Sequence, residues 1–312
     1  MTSSGCQKSI LVILAILFAA AVILAGASVL SVLRQASHQN FADKIPASLE
    51  EAASMISGSV VYQRESETLV ESIYRTEIGS RGQVLLAKDG RYPRWSPDGS
   101  KIAFIRRGSV MLMNRDGTDL RELAPDAGAR AIAYHPNGSE ILFTTGEKIM
   151  SVDIPTRLVR EVTNGMTFAG MDINESGDRL LVSARGRVIY AANMPGGRFR
   201  QAARGCSISL SPDAELFLHN NGGHRRLTIR RWSDLNEVYE IAAPGDFQID
   251  NVTWSNHPDW IALRTEGKGQ ENVFVYHIPS GRYFQVTFCG DANRPDLFVE
   301  TDKAAHIGKG SL

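Results

Sequence analysis

Residues 95–104 read Trp-Ser-Pro-Asp-Gly-Ser-Lys-Ile-Ala-Phe, and the same design returns four times further along the chain. Tyr134-His135-Pro136-Asn137-Gly138, Ile173-Asn174-Glu175-Ser176-Gly177, Leu210-Ser211-Pro212-Asp213-Ala214 and Trp254-Ser255-Asn256-His257-Pro258 hold equivalent places, with anchors 39, 39, 37 and 44 residues apart. A fixed period of roughly 20–50 residues implies a stacked or radial array of one supersecondary unit. The motif is tight-turn chemistry: Pro97 fixes φ, Asp98 bonds nearby backbone and Gly99 takes φ > 0. Gly138, Gly177, Pro212 and Asp213 repeat those roles. Trp95, Tyr134, Trp254 and their equivalents are expected to pack between neighbouring sheets.

Each anchor is followed by three more short apolar runs separated by turn residues, so the second strand reads KIAFI, EILFT, RLLVS, ELFLH and WIALR in successive copies. Four strands per repeat of about 40 residues is the arithmetic of a β-propeller blade. Five complete copies cover residues 90–290, and the remaining pieces make a sixth. Residues 59–65, 72–78 and 83–89 match the second, third and fourth strands, and residues 293–299 supply the first, with Leu297 43 residues after Trp254. The expectation is an all-β, six-bladed propeller over 57–300, closed by pairing its N- and C-terminal strands, which leaves no inner edge exposed.

Ahead of the repeats, residues 9–33 run for 25 residues without a charge. At about 1.5 Å per residue such a helix outreaches a hydrocarbon core of about 30 Å. A cleaved signal peptide competes, since Lys8 is a basic n-region and Ala25-Gly26-Ala27 fits a cleavage site. The apolar run continues past that site through Leu33, which favours an uncleaved transmembrane anchor. The layout is a tail at 1–8, the anchor at 9–33, a stalk at 34–56 with Ser48 and Glu51 as a capping box, the propeller at 57–300 and a tail at 301–312. A single-pass membrane protein with an extracytoplasmic propeller is expected, its orientation resting on a weak charge difference.

The WSPDGSKIAF stretch, Trp95 to Phe104, resembles the WD-repeat-like propeller repeats of the TolB-like family, and the resemblance extends over roughly residues 57–300. Members of that family place an α/β domain before a six-bladed propeller and bind other envelope proteins. Here only the anchor and stalk precede the blades, so partner sites on that domain do not carry over. The repeats are also similar to the propellers of prolyl oligopeptidases and of oligogalacturonate lyases. The first need a hydrolase domain, and 13 residues after Val299 leave no room for one; the second place metal ligands in the central funnel.

Chemistry is sparsely signalled. No G-x-S-x-G, H-E-x-x-H or P-loop motif occurs. Cys6, Cys206 and Cys289 are too few and too scattered for a disulfide scaffold or metal knuckle, and His135 and His257 read as turn residues, so no catalytic residue, metal or cofactor is expected. The residues just ahead of the anchors, Arg94, Ala133, Asp172, Ser209, Thr253 and Asp296, are placed to line the channel. Arg94, Asp172 and Asp296 form a candidate ligand site there, with capping of the inner strands as the alternative role.

Charge carries a second candidate. The chain has 312 residues, 34 basic against 34 acidic, which argues against a nucleic-acid binder. Between Arg179 and Trp232, however, ten arginines face two acids, a net of +8 balanced by −8 elsewhere. Arg225, Arg226, Arg230 and Arg231 are its densest strand. All Arg and no Lys favours bidentate recognition of carboxylate or phosphate. The reading is a membrane-anchored envelope scaffold that binds a protein or anionic ligand, whether an acidic protein, lipid headgroups or an acidic glycan. The alternative is a funnel-site enzyme or binder of acidic sugars.

Overall fold

The computed structural model describes residues 48–65, 70–174, 176–194 and 196–300. A short helix α1 (Leu49–Met55) leads into β1 (Gly58–Glu65), β2 (Glu71–Glu77) and β3 (Val84–Lys88) of blade one. Blade two holds β4 (Arg91–Trp95), β5 (Lys101–Arg106), β6 (Ser109–Asn114) and β7 (Arg121–Ala124). Blade three holds β8 (Ala131–Tyr134), β9 (Glu140–Thr144), β10 (Lys148–Asp153) and β11 (Val159–Asn164). Blade four holds β12 (Phe168–Ile173), β13 (Arg179–Ala184), β14 (Val188–Asn193) and β15 (Arg200–Arg204). Blade five holds β16 (Cys206–Leu210), β17 (Leu216–Asn220), β18 (Arg226–Arg231) and β19 (Glu237–Ala242). Blade six holds β20 (Gln248–Trp254), β21 (Trp260–Gly267), β22 (Gln270–His277) and β23 (Arg282–Gln285), and β24 (Ala292–Val299) returns to blade one.

Among the described residues these strands make six four-stranded sheets, and β24 pairs antiparallel with β1, Leu297 opposite Val60. The closure read from the split repeat is therefore present. The first strands meet in a ring: β4 touches β8, β8 touches β12, and so on through β16, β20 and β24 back to β4. The all-β, six-bladed propeller is borne out. The apolar segment 9–33 lies outside the described residues. Among the described residues no helix is long and apolar enough to cross a membrane.

The core sits between blades rather than at a single centre. All six anchors are buried: Trp95, Tyr134, Ile173, Leu210, Trp254 and Leu297 expose 9% or less. Trp95, Tyr134, Ile173, Leu210 and Leu297 each lie in an apolar layer shared with the neighbouring sheet, as where Trp95, Ile102 and Phe104 of blade two meet Val61 and Ile73 of blade one. The turn chemistry is what the motif implies. Asp98 Oδ1 accepts from Ser96 Oγ at 2.6 Å and from the Ser100 amide at 3.1 Å, and Asp213 does the same for Ser211 and Glu215. Gly99, at φ +68, has a second reason to be glycine, since a Cβ there would stand 2.4 Å from the Phe298 ring. In blade three Asn137 takes the aspartate's part, its Oδ1 accepting from the Ser139 amide at 2.9 Å, and in blade six His257 does, its Nδ1 accepting from the Asp259 amide. His135, at the Ser96 position, accepts the Asn137 amide through Nδ1.

The end of the stalk segment docks on the blades. Ser48 caps α1 by accepting from the Glu51 amide at 3.2 Å. Ala52 and Ile56 join the apolar layer between blades six and one. Arg282 on β23 clamps the Glu51 carboxylate, Nη2 to Oε2 at 2.6 Å.

Candidate functional site

The channel has two mouths. Where the inner strands end, a cavity of about 350 Å³ is lined by Arg94, Ala133, Asp172, Ser209, Thr253 and Asp296, the six residues ahead of the anchors. The structure thus brings Arg94, Asp172 and Asp296 into one space, and it gives the carboxylates a mechanical duty. Asp296 Oδ2 accepts the Trp95 amide of the next blade at 2.7 Å. Asp172 Oδ2 accepts the Leu210 amide at 2.8 Å and the Ser209 hydroxyl at 3.0 Å, while its Oδ1 accepts the Ile173 amide. Ser209 Oγ in turn accepts the Trp254 amide at 3.0 Å, and the Thr253 hydroxyl donates to the Pro295 carbonyl at 3.0 Å. Three junctions of the ring are thus fastened by a side-chain oxygen that accepts the next blade's anchor amide, and a fourth by a hydroxyl that donates to the next blade's backbone.

Burial sets the electrostatics of this mouth. Desolvation raises Asp296 to about 6, against the opposing pull of Arg94 and the Trp95 amide. Desolvation also raises Asp172, again partly offset by its amide and hydroxyl donors and by Arg94. The Arg94 guanidinium donates to the Pro93 carbonyl at 3.0 Å.

The basic stretch divides into two unlike parts. In blade five every arginine named from sequence faces an acid. Arg226 meets Glu240 at 2.8 Å, Arg231 meets Asp234 at 2.8 Å, Arg230 meets Glu237 at 3.7 Å and Arg225 reaches Asp246 at 4.0 Å. Arg230 is further tied down by donating to His219 Nε2 and to the Leu235 carbonyl. The two pairs also sit at opposite ends of β18. In blade four, Arg185, Arg198, Arg200 and Arg204 are exposed. None of these four has an ion-pair partner among the described residues.

At the other mouth, where the inner strands begin, a second cavity of about 300 Å³ is lined by Tyr92, Cys206, Ser207, Asp250, Asn251 and Arg294, among others. The inner strands bulge here: their register slips at Arg91/Arg94, Cys206/Ser209 and Asp250/Thr253. Tyr92, Ser207, Asn251 and Arg294 sit there with φ between 49° and 57°. Such bulges redirect side chains. Cys206, His224 and Asp250 converge beside this mouth, with Cys206 Sγ 4.0 Å from His224 Nε2 and His224 Nδ1 3.4 Å from Asp250 Oδ2. Both Cys206 and Cys289 are free thiols and half-buried. Burial, then the Asp250 charge, pushes the Cys206 thiol up.

No protein-family model matches the sequence, and no curated protein matches it. Solved structures do. TolB from Acinetobacter baumannii superposes with a TM-score of 0.65 at 16% identity, over 77% of this chain and 66% of that one. The fold is a TolB-like β-propeller. A putative TolB from Agrobacterium tumefaciens matches with a TM-score of 0.56 at 12% identity, over 76% of this chain and 91% of that one. A chain of a nidogen/laminin complex matches with a TM-score of 0.60 at 11% identity, over 78% of this chain and 98% of that one.

Sequence reasoning found the funnel residues of this TolB-like propeller but missed the cluster at the opposite mouth. A signal existed. Cys206 and Asp250 occupy the same place in successive repeats, each four residues ahead of an anchor, Leu210 and Trp254. His224 carried no such mark, because the turn that holds it reads only as Asn-Asn-Gly-Gly-His.

Proposed function

We propose that this chain is a non-enzymatic binding scaffold. Residues 9–33 hold it to a membrane as a single-pass anchor, and the propeller stands outside the cytoplasm, offered to an acidic protein partner in the cell envelope. The observation that carries this reading is the outer side of blade four. Arg198, Arg200 and Arg204 lie on and just before β15, the outermost strand of its sheet, exposed and without acidic partners among the described residues. Unpaired guanidinium groups beside an open strand edge match an acidic segment in two ways, by bidentate carboxylate pairing and by backbone pairing along the edge. One propeller of similar fold occurs in a protein–protein complex, nidogen/laminin. A ligand of acidic sugars at the funnel is the weaker alternative, because Asp172 and Asp296 are engaged in joining blades.

The test is capture from solubilised membranes by the purified full-length chain, compared with an Arg198→Glu/Arg200→Glu/Arg204→Glu variant. The wild type should recover a stoichiometric protein whose yield falls as salt rises. The variant should fold normally and recover less than about a tenth as much, since each lost charge-assisted contact costs roughly 1.5–3 kcal/mol. Equal capture by both would overturn the reading.

A further inference from the structure

We infer that Cys206, His224 and Asp250 form a binding site for one borderline-soft divalent cation of the zinc type, at the channel mouth where the inner strands begin. The three donor atoms, a sulfur, an imidazole nitrogen and a carboxylate oxygen, all lie within 4.8 Å of one another. In a tetrahedral zinc site neighbouring donors stand about 3.3–3.7 Å apart. The 4.0 Å approach of Cys206 is to His224 Nε2 and the 3.4 Å approach of Asp250 is to His224 Nδ1, so one ring nitrogen serves the ion. With each residue giving one atom, the set lies within 4.8 Å and closes by a turn of the imidazole and a contraction of about 1 Å. A mixed sulfur, nitrogen and oxygen set selects zinc and its neighbours over magnesium or calcium, which take oxygen.

Three parts of the fold are brought together to make the cluster. Cys206 opens β16 and Asp250 lies in β20, at equivalent places in adjacent blades. His224 comes from the turn between β17 and β18 and holds φ +55, a conformation that non-glycine residues adopt at a cost. Gly205 lets β16 come close enough, since a Cβ there would stand 2.0 Å from the Asn220 carbonyl and 2.9 Å from the His219 ring.

The groups around the donors act as an outer shell does at metal sites. Asn220 Nδ2 donates to Asp250 Oδ1 at 2.8 Å and the Ser207 hydroxyl donates to the same oxygen, so that Oδ2 is left turned to His224. Asn220 Oδ1 accepts from the Cys206 amide at 3.1 Å and stands 2.8 Å from its sulfur. The cation displaces the thiol proton to solvent, and thiolate plus carboxylate then balance its two charges. Arg264, 3.8 Å from Asp250 Oδ2, is already shared with Glu266 and Glu271 and does not cancel that balance. All three ligands are half-buried, and two of them line the 300 Å³ cavity, which leaves a way in and a free coordination position.

Cobalt(II) titration of the reduced, chelator-treated full-length chain tests the site. The wild type should develop a thiolate-to-cobalt charge-transfer band that saturates at one equivalent and is displaced by zinc. Cys289→Ser should keep the band and Cys206→Ser should lose it, while Asp250→Asn should weaken cobalt binding by more than about tenfold. No band in the wild type, or an equal band in Cys206→Ser, overturns the proposal. Alkylation by iodoacetamide, read by mass spectrometry on the wild type, needs no variant. Zinc should slow modification of Cys206 and leave Cys289 unchanged, and equal rates at Cys206 with and without zinc overturn the site.

Discussion

Blades four and five share one basic stretch of sequence and use its arginines in opposite ways. The difference lies in the outermost strands. In blade five that strand reads Glu-Val-Tyr-Glu-Ile-Ala, and Glu237 and Glu240 come within reach of Arg230 and Arg226 on the strand beside it. In blade four it reads Arg-Gln-Ala-Ala-Arg and brings more positive charge instead of an answer to it. Net charge counted along the chain therefore locates a basic region, whereas the register between strands decides which of its charges are free. The comparison moves the weight of the binding reading from Arg225, Arg226, Arg230 and Arg231 to Arg185, Arg198, Arg200 and Arg204.

The largest effect expected is on capture. Reversing Arg198, Arg200 and Arg204 should remove nearly all partner recovery, and Arg225→Glu with Arg226→Glu should remove much less, because both of those residues already face acids. Equal losses in a pull-down from the same membrane extract would erase the distinction between the blades.

Next comes the joint between them. Asp172 of blade four takes the Leu210 amide and the Ser209 hydroxyl of blade five and the Ile173 amide of its own strand. Asp172→Ala leaves those donors unanswered where Ser209 and Leu210 expose 6% or less, at a cost of about 3–4 kcal/mol in a urea melt. A loss below about 1 kcal/mol would mean that water replaces the carboxylate. The joint that closes the ring uses the same device with a measurable pH signature. Asp296 titrates near 6 when folded, above the ordinary 3.8. The folded state therefore binds the proton more tightly, so its contribution is full below the unfolded value and is lost as pH rises from about 4 to about 6. Asp296→Asn keeps an acceptor for the Trp95 amide and removes the titration. The stability of the wild type relative to this variant should fall by about 2–3 kcal/mol between pH 4 and pH 7. A flat difference across that range would show that Asp296 is not desolvated in solution.

What was legible beforehand follows from range. The anchors, the turns and even the blade split between residues 58–88 and 292–299 depend on local chemistry and on a period, and both are written along the chain. The funnel set was legible for the same reason, as each member precedes an anchor by one residue. Two things were not. That Arg230 faces Glu237 depends on a register slip between β18 and β19 at Ile229/Arg230, which no periodicity encodes. That His224 reaches Cys206 and Asp250 depends on bulges at the starts of two inner strands and on a left-handed residue in a turn, which set side-chain directions across a blade boundary.

The smallest effect is the one that separates the two blades by sign. Arg226 and Glu240 form an exposed pair, 59% and 35% accessible at their side chains, and such pairs contribute about 0.2–1 kcal/mol. Arg226→Ala should therefore destabilise the propeller by a few tenths of a kcal/mol at low salt. Arg200→Ala or Arg204→Ala should do the reverse or nothing, because each removes a charge that has no acidic partner among the described residues, from a stretch of net positive charge. Near 1 M salt the screening length shrinks to about 3 Å, and both effects should vanish together. Urea midpoints for the three variants at low and high salt decide it. If Arg204→Ala destabilises at low salt as Arg226→Ala does, blade four's arginines have partners of their own and its outer face is not a free cationic surface.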